Sequence, residues 1–81
     1  MKVRVKLFAV AKQRAGCDCV EIELPDQATI RHLRSAIIEH VPQLADVVPH
    51  ARFALNNDYA ADDTPVSSAV EVAIIPPVSG G

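Results

Sequence analysis

The residues most able to do chemistry stand at the very end of the chain. The last six residues are Pro76-Pro77-Val78-Ser79-Gly80-Gly81. Proline fixes φ and lacks a backbone N–H, so Pro76 and Pro77 are expected to end the strand before them. The residues after Pro77 would reach about 13–14 Å when extended, and glycine, which lacks a Cβ atom, fits a narrow channel. Such a tail presents one reactive group, the α-carboxylate of Gly81. The alternative is an ordinary frayed terminus.

Cysteine and histidine side chains are weaker candidates for chemistry. Cys17 and Cys19 flank one aspartate, but a metal site normally needs three or four ligands and the chain has no second cysteine pair. A metal-binding or redox role is therefore not favoured, and two small residues at a strand edge is the simpler interpretation. The histidines are scattered and are interpreted as surface residues: His32, His40 and His50. The sequence thus predicts no metal site.

Size and charge narrow the possible functions. The 81 residues allow a single domain, and the net charge of −2 argues against a nucleic-acid partner. The uncharged run at residues 7–11 is too short for a secretory signal, and no stretch approaches the length of a membrane span. The protein is accordingly expected in the cytoplasm, away from membranes and with reduced thiols.

Two strands are expected at the start of the chain. Val3, Val5 and Leu7 alternate with charged residues, and this period of two is typical of a half-buried strand. The alternation leaves Phe8 on the face of the lysines, which is an unusual place for one of only two phenylalanines. Residues 12–18 are expected to form a connection, and a second strand is expected from Val20 to residue 24.

One main helix is expected between residues 29 and 41. Thr29 is a suitable N-cap and Pro42 ends the helix. Between them, apolar residues recur at helical spacing: Ile30, Leu33, Ile37, Ile38 and Val41. Arg31 and Arg34 could bind an anion, but a solvated helix face is the preferred interpretation.

The remaining sequence predicts three further strands. A short turn at residues 44–48 leads to a strand at 52–55, an Asn-Asn-Asp turn, a brief strand at 59–60 and a last strand at 70–75. This order of elements predicts the α+β class, with a mixed sheet and one helix across one face. The first and last strands would then be adjacent and parallel.

Apolar residues are also expected on the uncovered face of this sheet. Phe8 and Ile75 would share that face beside Pro76 and Pro77. An apolar patch on an open sheet face usually marks a docking surface, and few large apolar residues lie outside the core pattern. Docking is therefore the preferred interpretation, and the alternative is that loops cover Phe8 and Ile75.

Several segments resemble the MoaD family of ubiquitin-like sulfur carriers, which are small subunits of molybdopterin synthase. They are Leu7-Phe8-Ala9, Thr29-Ile30-Arg31-His32-Leu33, Leu55-Asn56-Asn57 and Val72-Ala73-Ile74-Ile75-Pro76-Pro77-Val78-Ser79-Gly80-Gly81. The ending is the specific part, because paired prolines are more typical of this family than of other carriers that end in Gly-Gly. One departure is Ser67-Ser68-Ala69, where the family usually has a Gly-Asp turn.

The resemblance implies a β-grasp fold, with a domain at residues 1–77 and a flexible C-terminal tail at residues 78–81. It also implies that a MoeB-like activating enzyme consumes ATP to adenylate Gly81, and that a sulfur donor then converts the product to a thiocarboxylate. This chain would bind no cofactor permanently.

The resemblance further implies a MoaE-like large subunit, joined with this chain in a heterotetramer. The tail residues Val78, Ser79 and Gly80 would thread into a pocket of that subunit, where sulfur passes to cyclic pyranopterin monophosphate. The large subunit would supply the catalytic side chains. It and the activating enzyme would dock in turn on the same four residues, which are Phe8, Ile75, Pro76 and Pro77.

Two alternative functions stay open. The chain could be a sulfur carrier of the same fold for thiamine or another thiolation pathway. It could also be a ubiquitin-like modifier or interaction module that carries no sulfur. The paired prolines before Val78 and Ser79 favour the molybdopterin pathway over the first alternative.

Overall fold

A mixed five-stranded sheet with two helices forms the body of the protein. The computed structural model describes residues 1–76. The helices are α1 (Ala9–Ala15) and α2 (Ile30–His40), and short 3-10 turns lie at Pro42–Leu44 and Val48–His50. The strands are β1 (Lys2–Leu7), β2 (Cys19–Glu23), β3 (Arg52–Leu55), β4 (Asp58–Ala60) and β5 (Val72–Ile75).

The first and last strands lie side by side at the centre of the sheet. The strand order is β2-β1-β5-β3-β4. Strand β5 runs parallel to β1, with Val5 opposite Val72 and Leu7 opposite Ile74. The pairs β1–β2, β3–β4 and β3–β5 are antiparallel. This arrangement confirms the predicted α+β fold and the parallel pairing of the first and last strands.

The core lies between one face of the sheet and α2. Period-two alternation turns one set of strand residues inward, and the 3.6-residue period of α2 turns one apolar stripe toward them. Residues from both elements have no exposed surface: Val3, Val5, Ile30, Leu33, Ile37, Phe53, Val72 and Ile74. The expected helix is confirmed, although Ile38 packs only partly against the core.

The start of α2 is held by a reciprocal cap. The Thr29 N–H donates to Nδ1 of His32 at 2.9 Å, which satisfies one of the backbone donors that a helix start leaves unpaired. The sequence had placed His32 among the surface histidines without this role. The side chain is therefore used locally, at the helix terminus.

The prediction of one main helix across the sheet is confirmed, but the expected plain connection at residues 12–18 was wrong, because a short second helix covers its first part. Helix α1 begins directly after Phe8 and ends at Ala15. Gly16 caps it with φ of 75°, and its N–H donates to the Lys12 carbonyl oxygen at 3.0 Å. Only Ala11 of α1 is buried. A seven-residue helix with one buried alanine gives no apolar period, so pattern analysis missed it.

Candidate functional site

The face of the sheet opposite α2 is open, and we call it the open face. On β1 the inward Val3, Val5 and Leu7 alternate with exposed lysine and arginine residues. Across the sheet, Lys6 lies opposite Ala73, and Ala73 lies opposite Ala54. The centre of the open face is therefore built from two small apolar side chains.

An aromatic side chain covers part of this open face. Tyr59 pairs with Ala54 across β3 and β4, and the Arg52 guanidinium lies 5.1 Å from the Tyr59 ring centroid. Ala54 is only 5% exposed, although it lies outside the core cluster. Tyr59 itself is 65% exposed. The open face thus has an apolar centre with a solvent-exposed aromatic at the β4 end.

Phe8 lies directly after the C-terminal end of β1, on the side of the sheet that forms the open face. Its backbone is extended, with φ of −129° and ψ of 155°, so it continues the alternation of β1. The chain then turns sharply, because Ala9 has φ of 53°. The Phe8 side chain is 48% exposed. Loops therefore leave about half of this ring uncovered, and its role in docking stays a prediction.

Strand β5 leaves the sheet at the Phe8 end. Leu7 lies opposite Ile74 in the parallel pair, so the same register extended by one residue sets Phe8 opposite Ile75. Ile75 and Pro76 are half-buried. We call Phe8, Ile75 and Pro76 the exit patch. It lies where the described chain ends, next to the segment that carries the Gly-Gly ending.

The other predicted site residues lie outside the described part of the chain. They are Pro77, Val78, Ser79, Gly80 and Gly81. The boundary between domain and tail, placed at residues 77 and 78, falls there too. Their roles therefore remain predictions from the sequence.

A cavity of about 720 Å³ opens beside the exit patch. Phe8 lines it together with the basic residues Arg4, Lys6 and Lys12. An ion pair of 3.4 Å between Lys6 and Glu71 lies at the same cavity. Asp18 and Glu71 line the same cavity, so Phe8 lies among charged side chains of both signs, with the cations in slight excess.

The cysteine and histidine candidates form no cluster. Cys17 is exposed and Cys19 is half-buried, and both thiols are free. In residues 1–76, no group of three or more His, Cys, Asp and Glu side chains is placed to hold a metal ion. No helix in that range is long and apolar enough to cross a membrane.

The interpretation of Arg34 as part of a solvated helix face was wrong. Its side chain is 21% exposed, and Nη1 donates to the carbonyl oxygens of Val48 and Ala51 at 2.5 and 3.0 Å. Nη2 contacts Asp62 at 2.8 Å, and the guanidinium lies 5.0 Å from the Phe53 ring centroid. Arg34 therefore joins α2 to two loops through Nη1 and Nη2, and its Nε is buried away from solvent, so the side chain is not part of an open anion site.

One charged contact ties α1 to the segment after the first 3-10 turn. Arg14 donates a hydrogen bond to the Asp46 carboxylate, and this bond lowers the pKa of Asp46 below its usual value. Both side chains are exposed. The contact is remote from the exit patch in sequence and carries no evident chemistry.

Comparison with known families decides where the chain belongs. The family model described as the ThiS family matches residues 5–81. The chain belongs to the ThiS family. This match covers the exit patch and the Gly-Gly ending, and it agrees with the resemblance identified from the sequence.

Curated relatives align with this ThiS-family chain over almost the full length of both proteins. The chain is 39% identical to the molybdopterin synthase sulfur carrier subunit of Chlamydomonas reinhardtii, covering 100% of both chains. It is 36% identical to the protein of the same name from Dictyostelium discoideum, covering 96% of this chain and 94% of that protein.

Solved structures share the fold of this ThiS-family chain. SAMP1 of Haloferax volcanii superposes with a TM-score of 0.86 at 28% identity, covering 100% of both chains. A Pyrococcus furiosus chain described as molybdopterin converting factor, subunit 1, has a TM-score of 0.84 at 31% identity, with coverage of 96% and 99%. A chain in the complex of subunits 1 and 2 of molybdopterin-converting factor from Helicobacter pylori has a TM-score of 0.69 at 23% identity, which shows the fold alone. The predicted β-grasp, ubiquitin-like fold is thereby confirmed.

Sequence reasoning missed part of the open face of this ThiS-family chain. The sequence pattern predicts strands at Tyr59 and Arg52 but does not indicate that the two residues share a surface. The signal was present, since an aromatic residue beside a polar turn is rarely needed in a core. Strand pairing was required to show that both residues point to the same face as Ala73.

Proposed function

We propose that this protein is the sulfur-carrier small subunit of a molybdopterin synthase. The observation that carries the proposal is the full-length similarity, at 39% identity, to a relative with that name. The exit patch supports it, because β5, the last strand before the C-terminal segment, ends beside the exposed Phe8. The reacting group would be the α-carboxylate of Gly81.

The chemistry of the tail follows from the reactivity of a carboxylate. A carboxylate is a poor electrophile because it lacks a good leaving group. Attack of the Gly81 carboxylate on the α-phosphorus of ATP would release pyrophosphate and form an acyl-adenylate. A sulfur nucleophile would then displace AMP and leave a thiocarboxylate. This soft nucleophile would deliver sulfur to cyclic pyranopterin monophosphate, and two deliveries would build the dithiolene.

The body of the protein would act as a docking module in this sequence of reactions. An adenylating enzyme of the MoeB type and a large subunit of the MoaE type would bind the exit patch and the open face in turn. Half of the Phe8 ring is available for burial, and aromatic anchors of this kind dominate many interfaces. The acid–base groups for sulfur transfer would belong to the large subunit, in the cytoplasm.

A direct test follows the mass of the intact chain. The full chain is incubated with a MoeB-type enzyme, ATP and a sulfide source. We expect a mass gain equal to the replacement of one oxygen by sulfur, and we expect none in a variant that lacks Gly81. The matched control is Asp63→Asn, a change at an exposed loop residue, which should gain sulfur normally. Sulfur incorporation without Gly81 would contradict the proposal, and a large loss of thermal stability in that variant would show that the tail is structural.

A second candidate function is favoured by one observation. The closely superposing SAMP1 is a small archaeal modifier protein, so a ubiquitin-like modifier has the same fold. A modifier would form an isopeptide bond between Gly81 and a lysine of another protein after the same activation. Incubation of the chain with the activating enzyme and a cell extract, followed by mass spectrometry, distinguishes the two functions. A modifier would yield branched peptides in which Gly81 is joined to a lysine. A sulfur carrier would yield the thiocarboxylate.

A further inference from the structure

Among the strands of residues 1–76, β2 forms one edge of the sheet and has a neighbour only on its β1 side. Leu24 donates to the Met1 carbonyl oxygen at 2.8 Å, and the Met1 amine donates to the Leu24 carbonyl oxygen at 2.6 Å. Bonded and non-bonded pairs alternate along an antiparallel ladder, so the same rule fixes the direction of every group on β2. Cys19, Glu21 and Glu23 must direct their N–H and C=O groups away from β1. The 2.9 Å bond from the Leu7 N–H to the Asp18 carbonyl oxygen fits this alternation.

A groove of about 500 Å³ follows this edge. Glu21 and Glu23 line it from the open face, whereas Ile22 and Ala36 line it from the side of α2. Because residues from both faces of the sheet line the groove, it lies along the edge of β2 and not on a single face of the sheet. Its apolar floor is formed by the buried Ile22 and the half-buried Ala36. The space therefore lies where a further strand would pair with β2.

Charge identifies the kind of strand that would fit. Three carboxylates line the groove, those of Glu21, Glu23 and Glu39, against Lys2 and His40. Glu23 is paired with the amino terminus at 3.1 Å. Within residues 1–76, Glu21 and Glu39 take part in no ion pair. Two carboxylates are thus available to an incoming cation.

The same charges disfavour a second copy of this chain. Antiparallel pairing of β2 with another β2 would bring Glu21 and Glu23 of one copy against the same residues of the other. Like charges opposite each other destabilise a strand pair. The edge therefore suits a strand that carries the opposite charge.

We propose that the β2 edge is a strand-addition site for an extended, basic segment of a partner protein. Alternate side chains of that segment would point to the two sides of the sheet. Aliphatic side chains would contact Ile22 and Ala36 on the α2 side, and lysine or arginine side chains on the opposite side would reach Glu21. A further cation at the end of the segment would reach Glu39 on α2. The site lies two strands away from β5, so it adds a partner surface to the one used for sulfur transfer and does not depend on Gly81.

The test uses the full chain and a short synthetic peptide with alternating lysine and valine. Amide hydrogen exchange is measured by NMR with and without the peptide. We expect slower exchange at Cys19, Glu21 and Glu23, whose N–H groups would gain acceptors, and little change at Val20 and Ile22, which already bond to β1. Protection without this alternation, or protection at β4 instead, would overturn the proposal.

Charge-reversal variants make the test specific. The double variant Glu21→Lys with Glu39→Lys should weaken peptide binding about tenfold, since it removes both available carboxylates. The matched double variant Asp58→Lys with Asp63→Lys changes the net charge equally at remote, exposed positions and should bind within about twofold of the wild type. Equal loss in both variants would mean general charge attraction and overturn the site. The same protection pattern in concentrated protein without peptide would assign the edge to a second copy and would also overturn it.

Discussion

Replacement of Phe8 by alanine separates docking from folding. Phe8 is 48% exposed, whereas Phe53 is fully buried. Full burial of a phenylalanine side chain contributes about 1.5–3 kcal/mol, so a half-buried ring contributes about 1 kcal/mol to the free energy of unfolding. Water fills the space left at the surface, and no cavity term is added. Phe8→Ala should therefore lower the melting temperature by about 4–8 °C.

Phe8→Ala should reduce the free energy of partner binding by more than it reduces the free energy of unfolding. If a partner buries the remaining half of the ring as a central contact, its truncation costs about 1.5–2 kcal/mol of binding free energy. That energy corresponds to an affinity loss of about 10–30-fold. The assay is calorimetric titration of the folded chain with a MoaE-type large subunit, together with urea unfolding of each variant.

The matched control is Phe53→Leu. This change shortens a core side chain without altering the exit patch, and it should cost about 1 kcal/mol of stability, similar to Phe8→Ala. Its affinity for the large subunit should stay within about twofold of the wild type. The reasoning is refuted if Phe8→Ala leaves affinity unchanged. A stability loss of about 3–5 kcal/mol would instead show that Phe8 belongs to the core.

Two further predictions concern the body of the protein. Arg34→Ala should lower the free energy of unfolding by about 2–4 kcal/mol, because two backbone carbonyls and the Asp62 carboxylate lose their donor. Urea unfolding measures it, and a loss below about 0.5 kcal/mol would mean that solvent already satisfies these groups. Asp46 has a lowered pKa because of its hydrogen bond to Arg14, so its stabilising contribution is present above the usual value of 3.8 and is lost as pH falls through the lower, folded-state pKa. The difference in melting temperature between wild type and Asp46→Asn should therefore be present at neutral pH and vanish in acid. A difference that is constant with pH would contradict this account.

The strands were predictable because apolar residues alternate with other residues along them, and this alternation matches the observed burial. On β1 the alternation of buried and exposed residues is complete from Lys2 to Leu7. On β5 the buried Val72 and Ile74 alternate with half-buried neighbours. The expected start at residue 70 was too early, because Val70 lies in a bend before the strand. Strand identity follows from local period, whereas the first residue depends on where the partner strand begins to pair.

The features that sequence analysis missed depend on contacts between distant segments. Arg34 is buried by the 3-10 turn that ends at His50 and by the loop that holds Asp62. Neither segment has a repeating apolar pattern from which the contact with Arg34 could be predicted. The edge groove at β2 is another such case, because it requires α2 to lie against Ile22. Both features arise from tertiary packing and could not be inferred from spacing alone.

The position of β5 explains why a protein with a reactive terminus would have this fold. Val72 and Ile74 have no exposed surface, and β5 lies between β1 and β3. The strand that leads to the tail is thus among the most firmly held elements, and it cannot shift without opening the core. A partner that binds the exit patch at Phe8 consequently meets the end of β5, the last strand before the tail, in a fixed position. Fixed geometry of this kind lowers the entropic cost of placing a reacting group. The body of the protein would then contribute to the reaction by positioning the tail, while a partner supplies the acid–base chemistry.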